Sequence, residues 1–381
     1  MAVIIGSGRG RPPQGSASER LVGTADDDEI LGDPFSGENR VAFPDNGRTL
    51  AAGRGGRDAI LALEGSDLVL GDAWIVDGTG RGGADRILAG PGPDVVFGDA
   101  HRVRSAARGG NDRVRLGEGD DLAAGDAQTL EGTARGGDDR LDGGSGFDFL
   151  YGDARVLREA SRGGNDRLTG GALFDLLLGD AEALEGTARG GHDRLAGLEG
   201  GDELYGDAQS IEGSARGGND RLSGGTGADF LVGDALFASG EVSGGKDRLR
   251  GGAGHDLLVG DFASITGGAR CGDDILDGGP GDDQLYGDAI DPGEDPALVR
   301  GRDLFRFGPN SGRDTVFDFE AGKDILDFRG FGGDRAQVGF RDLEGAVLID
   351  LDGTEAPIQE VLLLGASLDV VLRELDRTIL F

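Results

Sequence analysis

The stretch ARGGDDRLD-GGSGFDFLY-GDARVLREA, residues 134–160, is three nonapeptides in a row, with Asp139, Asp148 and Asp153 at fixed places. The same 27-residue unit runs from Gly53 to Asp295, nine times, with no insertion or deletion. In the first nonapeptide of each unit the sixth place is always Asp: Asp58, Asp85, Asp112, Asp139, Asp166, Asp193, Asp220, Asp247 and Asp274. In the second it is Asp67, Asp94, Asp121, Asp148, Asp175, Asp202, Asp229, Asp256 and Asp283. The third opens with Gly-Asp: Asp72, Asp99, Asp126, Asp153, Asp180, Asp207, Asp234, Asp261 and Asp288. An aliphatic residue stands two places after each first-nonapeptide Asp, from Ile60, Ile87 and Val114 to Leu276. The third nonapeptide usually carries another at its sixth place, as in Val76, Leu130, Leu184 and Ile211.

Runs such as Asp-Arg-Leu-Asp and Asp-Phe-Leu-Tyr suit brief strands, whose alternating side chains send the aliphatic residue inward. The Gly-Gly-x-Gly stretches must turn, because glycine tolerates positive φ and close backbone approach. Strand and turn in alternation wind a solenoid in which like stacks on like. Identical Asp residues then lie about 4.8 Å apart in successive coils. Two such charges repel by roughly 1 kcal/mol even in water. A hard divalent cation relieves this repulsion. Calcium takes six to eight oxygens, from carboxylates and from the carbonyls that a glycine-rich turn exposes. Folding and ion binding become one event.

Gly143-Gly-Ser-Gly-Phe-Asp148-Phe-Leu-Tyr and Gly224-Gly-Thr-Gly-Ala-Asp229-Phe-Leu-Val resemble the hemolysin-type calcium-binding repeat of the RTX family, G-G-x-G-x-D-x-U-x. The resemblance covers roughly residues 23 to 295. It implies an all-β, right-handed parallel β-roll or β-solenoid, with several Ca²⁺ held in the turns by Asp side chains and glycine-rich backbone. The sixth-place Asp residues of the first and second nonapeptides are the metal ligands it implies. In the family pattern two nonapeptides make one coil. Here the third nonapeptide lacks the sixth-place Asp, so a coil of three nonapeptides is preferred over one of two. Leu173 replaces a loop glycine before Asp175, and Pro91-Gly-Pro93 stiffens the loop before Asp94, so binding is weakened there.

Composition narrows the partners. The chain has 381 residues, 77 of them Gly, and 38 Lys+Arg against 71 Asp+Glu, a formal charge of −33. That charge disfavours nucleic acid and anionic membrane surfaces and favours cations. No apolar run is long enough for a membrane span. Cys271 is the single cysteine, so a metal takes the place of disulfides, and Cys271 itself, standing where other units have glycine, is expected to be inert. His101, His192 and His255 occupy unrelated places and form no H-E-x-x-H motif, and no nucleophile elbow or Walker loop is present. Arg recurs at the second place of the first nonapeptide (Arg54, Arg81, Arg108, Arg135, Arg162, Arg189, Arg216, Arg270) and at its seventh (Arg86 through Arg248). These columns are expected to pair with the third-nonapeptide Asp column; the alternative is a cationic stripe for an anionic polysaccharide. The third-nonapeptide Asp residues either bind calcium or accept bonds from turn amides, and the structural role is favoured.

The flanks divide as a leader over 1–22, expected without structure, and a degenerate capping repeat over 23–52 built on Gly23-Thr-Ala-Asp-Asp-Asp28-Glu-Ile-Leu-Gly-Asp33. The nine repeats occupy 53–295 and a C-terminal β cap 296–381, where Arg302-Asp-Leu-Phe-Arg-Phe, Arg313-Asp-Thr-Val-Phe-Asp-Phe and Lys323-Asp-Ile-Leu-Asp-Phe328 alternate as strands do. These strings resemble the C-terminal region of serralysin-type exoproteins. Arg377-Thr-Ile-Leu-Phe381 resembles the uncleaved signal read by type I secretion machinery. The N-terminus lacks the pattern of a Sec signal. The expectation is a secreted, extracellular, non-catalytic calcium-binding protein that folds on external Ca²⁺ and is associated with a surface or matrix. The alternatives are a module for anionic polysaccharide and the non-catalytic part of an exoenzyme, since few residues precede the first repeat.

Overall fold

The computed structural model describes residues 49–331, 338–351, 359–374 and 378–380, together with the backbone of four short strands at 3–5, 20–22, 29–31 and 40–43. The leader, expected without structure, contributes Val3–Ile5 and Arg20–Val22. Residues 23–28 and Asp33 of the degenerate unit, and Arg377 and Phe381 of the tail, lie outside the described residues. The chain divides into two compact units, Met1–Leu195 with Asp207–Gln209, and Ala196–Gly206 with Ser210–Phe381.

Each unit is a parallel β-solenoid whose coils have three faces. In the first unit one coil runs through Arg140–Ser145, Phe149–Tyr151 and Ala154–Leu157. Every strand pairs with its equivalents one coil away: Arg140 faces Arg113 and Arg167, Phe149 faces Leu122 and Leu176, Ala154 faces Ala127. The second unit keeps the rule, with Leu222 opposite Leu249, Phe230 opposite Leu257 and Ala235 opposite Phe262. The coil therefore holds three nonapeptides rather than two, and the full repeat length lets each column stack on itself.

The inward residues are those the pattern marks. Leu141, Leu150, Tyr151, Ala154 and Leu157 are buried, as are their equivalents in other coils. This core is thin, so small residues such as Ala127 and Ala154 recur where faces approach. Glycine is strongly favoured in the turn between the first and second faces. Gly144 and Gly146 have φ of 110° and 137°, and a Cβ on Gly146 would stand 1.6 Å from the Gly119 carbonyl oxygen. Leu63, Leu173 and Leu198 occupy equivalent loop places with φ of 77°, 79° and 86°, a left-handed conformation that costs about 1–2 kcal/mol.

Beyond Asp295 the ruler changes but the winding does not. Leu304–Arg306 stacks on Ile275–Asp277 at a spacing longer than the repeat, and Ile325–Asp327 stacks on Leu304–Arg306 at a shorter one. Buried Phe305, Phe307, Phe319 and Phe328 replace the aliphatic core. Glu360–Leu364 then adds in parallel to Arg313–Val316, and Ala346–Asp350 and Gly339–Leu343 follow antiparallel. Ile379–Leu380 of the tail pairs with Leu326 and Asp327. These additions cover strand edges that would otherwise recruit another chain.

Candidate metal columns

All eighteen sixth-place Asp residues named above are buried, at no more than 3% exposure. They form two hydrogen-bonded ladders within each unit. In the first-nonapeptide ladder the N–H of Asp112 donates to Oδ1 of Asp139 at 2.6 Å, and that of Asp139 to Oδ1 of Asp166 at 2.7 Å. The second unit repeats this from Asp220 to Asp247 and from Asp247 to Asp274, both at 2.7 Å. In the second-nonapeptide ladder Asp94 donates to Asp121 at 2.7 Å, Asp121 to Asp148 and Asp148 to Asp175 at 3.0 Å. The second unit has a ladder of its own, from Asp202 to Asp229, Asp229 to Asp256 and Asp256 to Asp283. The Asp94 and Asp175 loops, expected to be weak, keep the ladder.

One carboxylate oxygen of each rung is thus used by the backbone. The other is turned inward. Oδ2 of Asp94, Asp121, Asp148, Asp229, Asp256 and Asp283 is buried and accepts no hydrogen bond. At Asp148 and Asp256 that oxygen borders a glycine and a carbonyl. A Cβ on Gly143 would lie 2.4 Å from Asp148 Oδ2 and 2.8 Å from the Gly170 carbonyl oxygen; on Gly251 it would lie 2.3 Å from Asp256 Oδ2 and 2.6 Å from the Gly278 carbonyl. An orphaned buried carboxylate is costly unless a cation meets it. Carboxylate and carbonyl oxygens converging in a space only glycine leaves open are the donor set of a hard divalent ion, so the residues fit Ca²⁺.

The electrostatics agree. Burial, with smaller repulsions from neighbouring Asp, pushes Asp94 up to about 7 and Asp121 and Asp148 to about 6. In the second unit Asp256 rises to about 6 and Asp283 to about 7. Burial holds Asp85, Asp112, Asp139 and Asp166 well above the usual carboxylate range, helped by neighbouring Asp charges.

The third-nonapeptide Asp residues are buried as well. Glycine amides meet them from the next coil: Gly110 N–H donates to Asp99 Oδ2 at 2.7 Å, Gly137 to Asp126 at 3.0 Å and Gly164 to Asp153 at 2.9 Å. The pairing expected between the Arg columns and this Asp column does not form at Asp99, Asp126 or Asp153. Arg81, Arg108 and Arg135 stack on one another along the exposed surface, because the second place points outward. Cys271 is half-buried beside Asp261 and Asp288, and burial pushes its thiol pKa up, which keeps it protonated.

Three ladder members lie outside the nine units. Asp274 N–H donates to Asp303, Asp303 to Asp324, and Asp283 to Asp314. Burial pushes Asp303 up to about 10 and Asp314 to about 8. The signal for them is a Gly-Arg/Lys-Asp-x string followed by an aliphatic residue or Phe, which persists in Gly301-Arg302-Asp303-Leu-Phe, Gly312-Arg313-Asp314-Thr-Val and Gly322-Lys323-Asp324-Ile-Leu after the paired glycines have gone.

A family model for the RTX calcium-binding nonapeptide repeat, in four copies, matches residues 79–102, 106–129, 133–154, 187–210, 214–235, 241–262 and 272–289. No curated protein matches the chain.

Proposed function

We propose, for a chain that belongs to the RTX calcium-binding repeat family, that calcium is its folding switch and that it works outside the cell as a non-catalytic surface or matrix component. The observation that carries this reading is the stacked, buried Asp oxygens that accept no hydrogen bond, such as Asp121 Oδ2 and Asp148 Oδ2. Without a cation, each unit would hold rows of like charges in a dry interior. A chain with this requirement stays open where calcium is scarce and winds up where it is abundant. That suits passage through a type I secretion channel in an unfolded state, followed by folding outside. The C-terminal strings that resemble serralysin-type exoproteins support the same route. The non-catalytic reading is supported by periodicity: buried carboxylates repeated at every coil suit an ion array better than a single reaction centre.

Far-ultraviolet circular dichroism during CaCl₂ titration of chelated protein, with MgCl₂ as control, tests the reading. A cooperative gain of β-structure specific to Ca²⁺ is expected. Full β-structure in chelator at neutral pH would refute it.

A second reading, recognition of an anionic polysaccharide, is favoured by the two outward Arg rows, in which Arg108 stands beside Arg81 and Arg135, and Arg113 beside Arg86 and Arg140.

A further inference from the structure

We infer that the third-nonapeptide Asp residues, which fall outside the G-G-x-G-x-D pattern, build a separate internal column of Ca²⁺ sites with the first-nonapeptide Asp residues of two successive coils. The site is clearest at Asp85, Asp99 and Asp112, each no more than 2% exposed. One oxygen from each lies within 4.8 Å of the other two. The outer oxygens are already engaged: Asp85 Oδ1 by Asp58 N–H, Asp112 Oδ1 by Asp85 N–H, both at 2.7 Å, and Asp99 Oδ2 by Gly110 N–H. What remains is Asp85 Oδ2, Asp99 Oδ1 and Asp112 Oδ2, all buried and accepting no hydrogen bond.

No cationic side chain among the described residues pairs with these three carboxylates. The backbone adds a further donor. A Cβ on Gly71 would stand 1.6 Å from the Gly98 carbonyl oxygen and 2.6 Å from Asp85 Oδ2, so that carbonyl and carboxylate border one space. Three carboxylates and a carbonyl within reach of one point suit a hard divalent ion of flexible coordination. Asp58, Asp72 and Asp85 form a like group one coil earlier.

The end of the array supplies an independent observation. Asp288 is the last third-nonapeptide Asp, and there the protein provides its own cation: Arg300 Nη1 lies 3.2 Å from Asp288 Oδ2. Arg300 stands one coil beyond Cys271, since Val299 bridges to Arg270. A guanidinium is thus spent where the column stops, and none at Asp99.

The inference rests on the calcium reading above, and crystals of the intact chain grown in CaCl₂ separate the two. Anomalous difference maps collected at long wavelength are expected to show a peak enclosed by Asp85, Asp99 and Asp112, with oxygens at about 2.3–2.6 Å. Peaks in the second-nonapeptide turns with none at this trio would overturn the inference and leave the calcium reading standing. No peak anywhere would overturn both. Calorimetric titration of Asp99→Asn, whose amide oxygen can still accept from Gly110, is expected to count one Ca²⁺ fewer per chain. An unchanged count would also overturn the inference. Should that variant fail to fold, the map of the unaltered chain decides.

Discussion

The amide of Asp85 donates to Oδ1 of Asp112 at 2.7 Å, so each rung of the ladder carries its neighbour while its second oxygen points inward. One side chain therefore has two separable duties, a hydrogen bond and a charge. Asp112→Asn keeps the acceptor and removes the charge; Asp112→Ala removes both. In chelator at neutral pH, where the unaltered chain is largely open, Asp112→Asn should retain more β-structure than the unaltered chain, because a buried repulsion with Asp85 and Asp126 is gone. In saturating Ca²⁺ the order should reverse. Asp112→Ala should be the less stable variant in both conditions, by about 1–3 kcal/mol relative to Asn, since the buried Asp85 amide loses its partner. Circular dichroism in chelator and thermal melts in calcium check this, and one order in both conditions would separate charge from ion binding.

Acid should substitute in part for calcium. In the metal-free fold Asp94 titrates at about 7 and Asp121 and Asp148 at about 6, against about 3.9 in an open chain. Between those values the folded state holds more protons than the unfolded one, so stability falls as pH rises. The calcium-free solenoid is expected to be most stable near pH 4 and to lose that stability progressively up to about pH 7. Circular dichroism in chelator across this range checks it. Stability that rises with pH would contradict the buried-carboxylate account.

Much of this architecture is legible in the sequence because the repeat length never slips between Gly53 and Asp295. Asp139 and Asp166 are equivalent by counting alone, and the ladder between them follows. Asp303, Asp314 and Asp324 fall outside the count because the offsets become 29, 31 and 21 residues and the paired glycines disappear, although a single glycine still precedes each Asp and the inward aliphatic or Phe residue still follows it two places on. The surroundings of Asp99 are not legible by counting. Its partners, Gly110 and Asp112, lie across a corner of the coil, at a spacing with no strand or helix period. The Arg rows do not reach Asp99, Asp126 or Asp153 for a related reason: charge balance favours a partner inside, while strand alternation sends the second place out.

The turn glycines give opposite outcomes at neighbouring coils. Gly146→Ala would push a Cβ to within 1.6 Å of the Gly119 carbonyl oxygen at a φ of 137°. It should destabilise the calcium-loaded fold by more than about 2 kcal/mol, through steric overlap and backbone strain together. Leu173→Gly, at the equivalent place one coil on, relieves a left-handed leucine that is 66% exposed and so loses little burial. Its net gain is of order 0.5 kcal/mol, because glycine also frees the unfolded chain. Denaturant titrations in saturating calcium distinguish the two.

The outward Arg rows make the last prediction. Arg81, Arg108, Arg135 and Arg162 bridge one to the next, and Arg86, Arg113, Arg140 and Arg167 do the same further along each coil. All eight are exposed, and the ion pairs of the first unit engage other arginines, among them Arg104, Arg115 and Arg155. On a chain with a formal charge of −33, these two cationic rows of the first unit, repeated at the coil spacing, present a surface of opposite sign. A linear polyanion such as an alginate fragment, with carboxylates recurring along its length, can meet several guanidinia at once. Each exposed contact is worth about 0.2–1 kcal/mol. The triple variant Arg108→Ser, Arg135→Ser, Arg162→Ser should therefore weaken binding by about tenfold at low salt. The difference should shrink at high salt, where exposed charges are screened. Calorimetry on the calcium-loaded chain at two ionic strengths reads both effects. Equal affinity of the variant and the unaltered chain would leave the rows with solubility as their role, and the polysaccharide reading would fall.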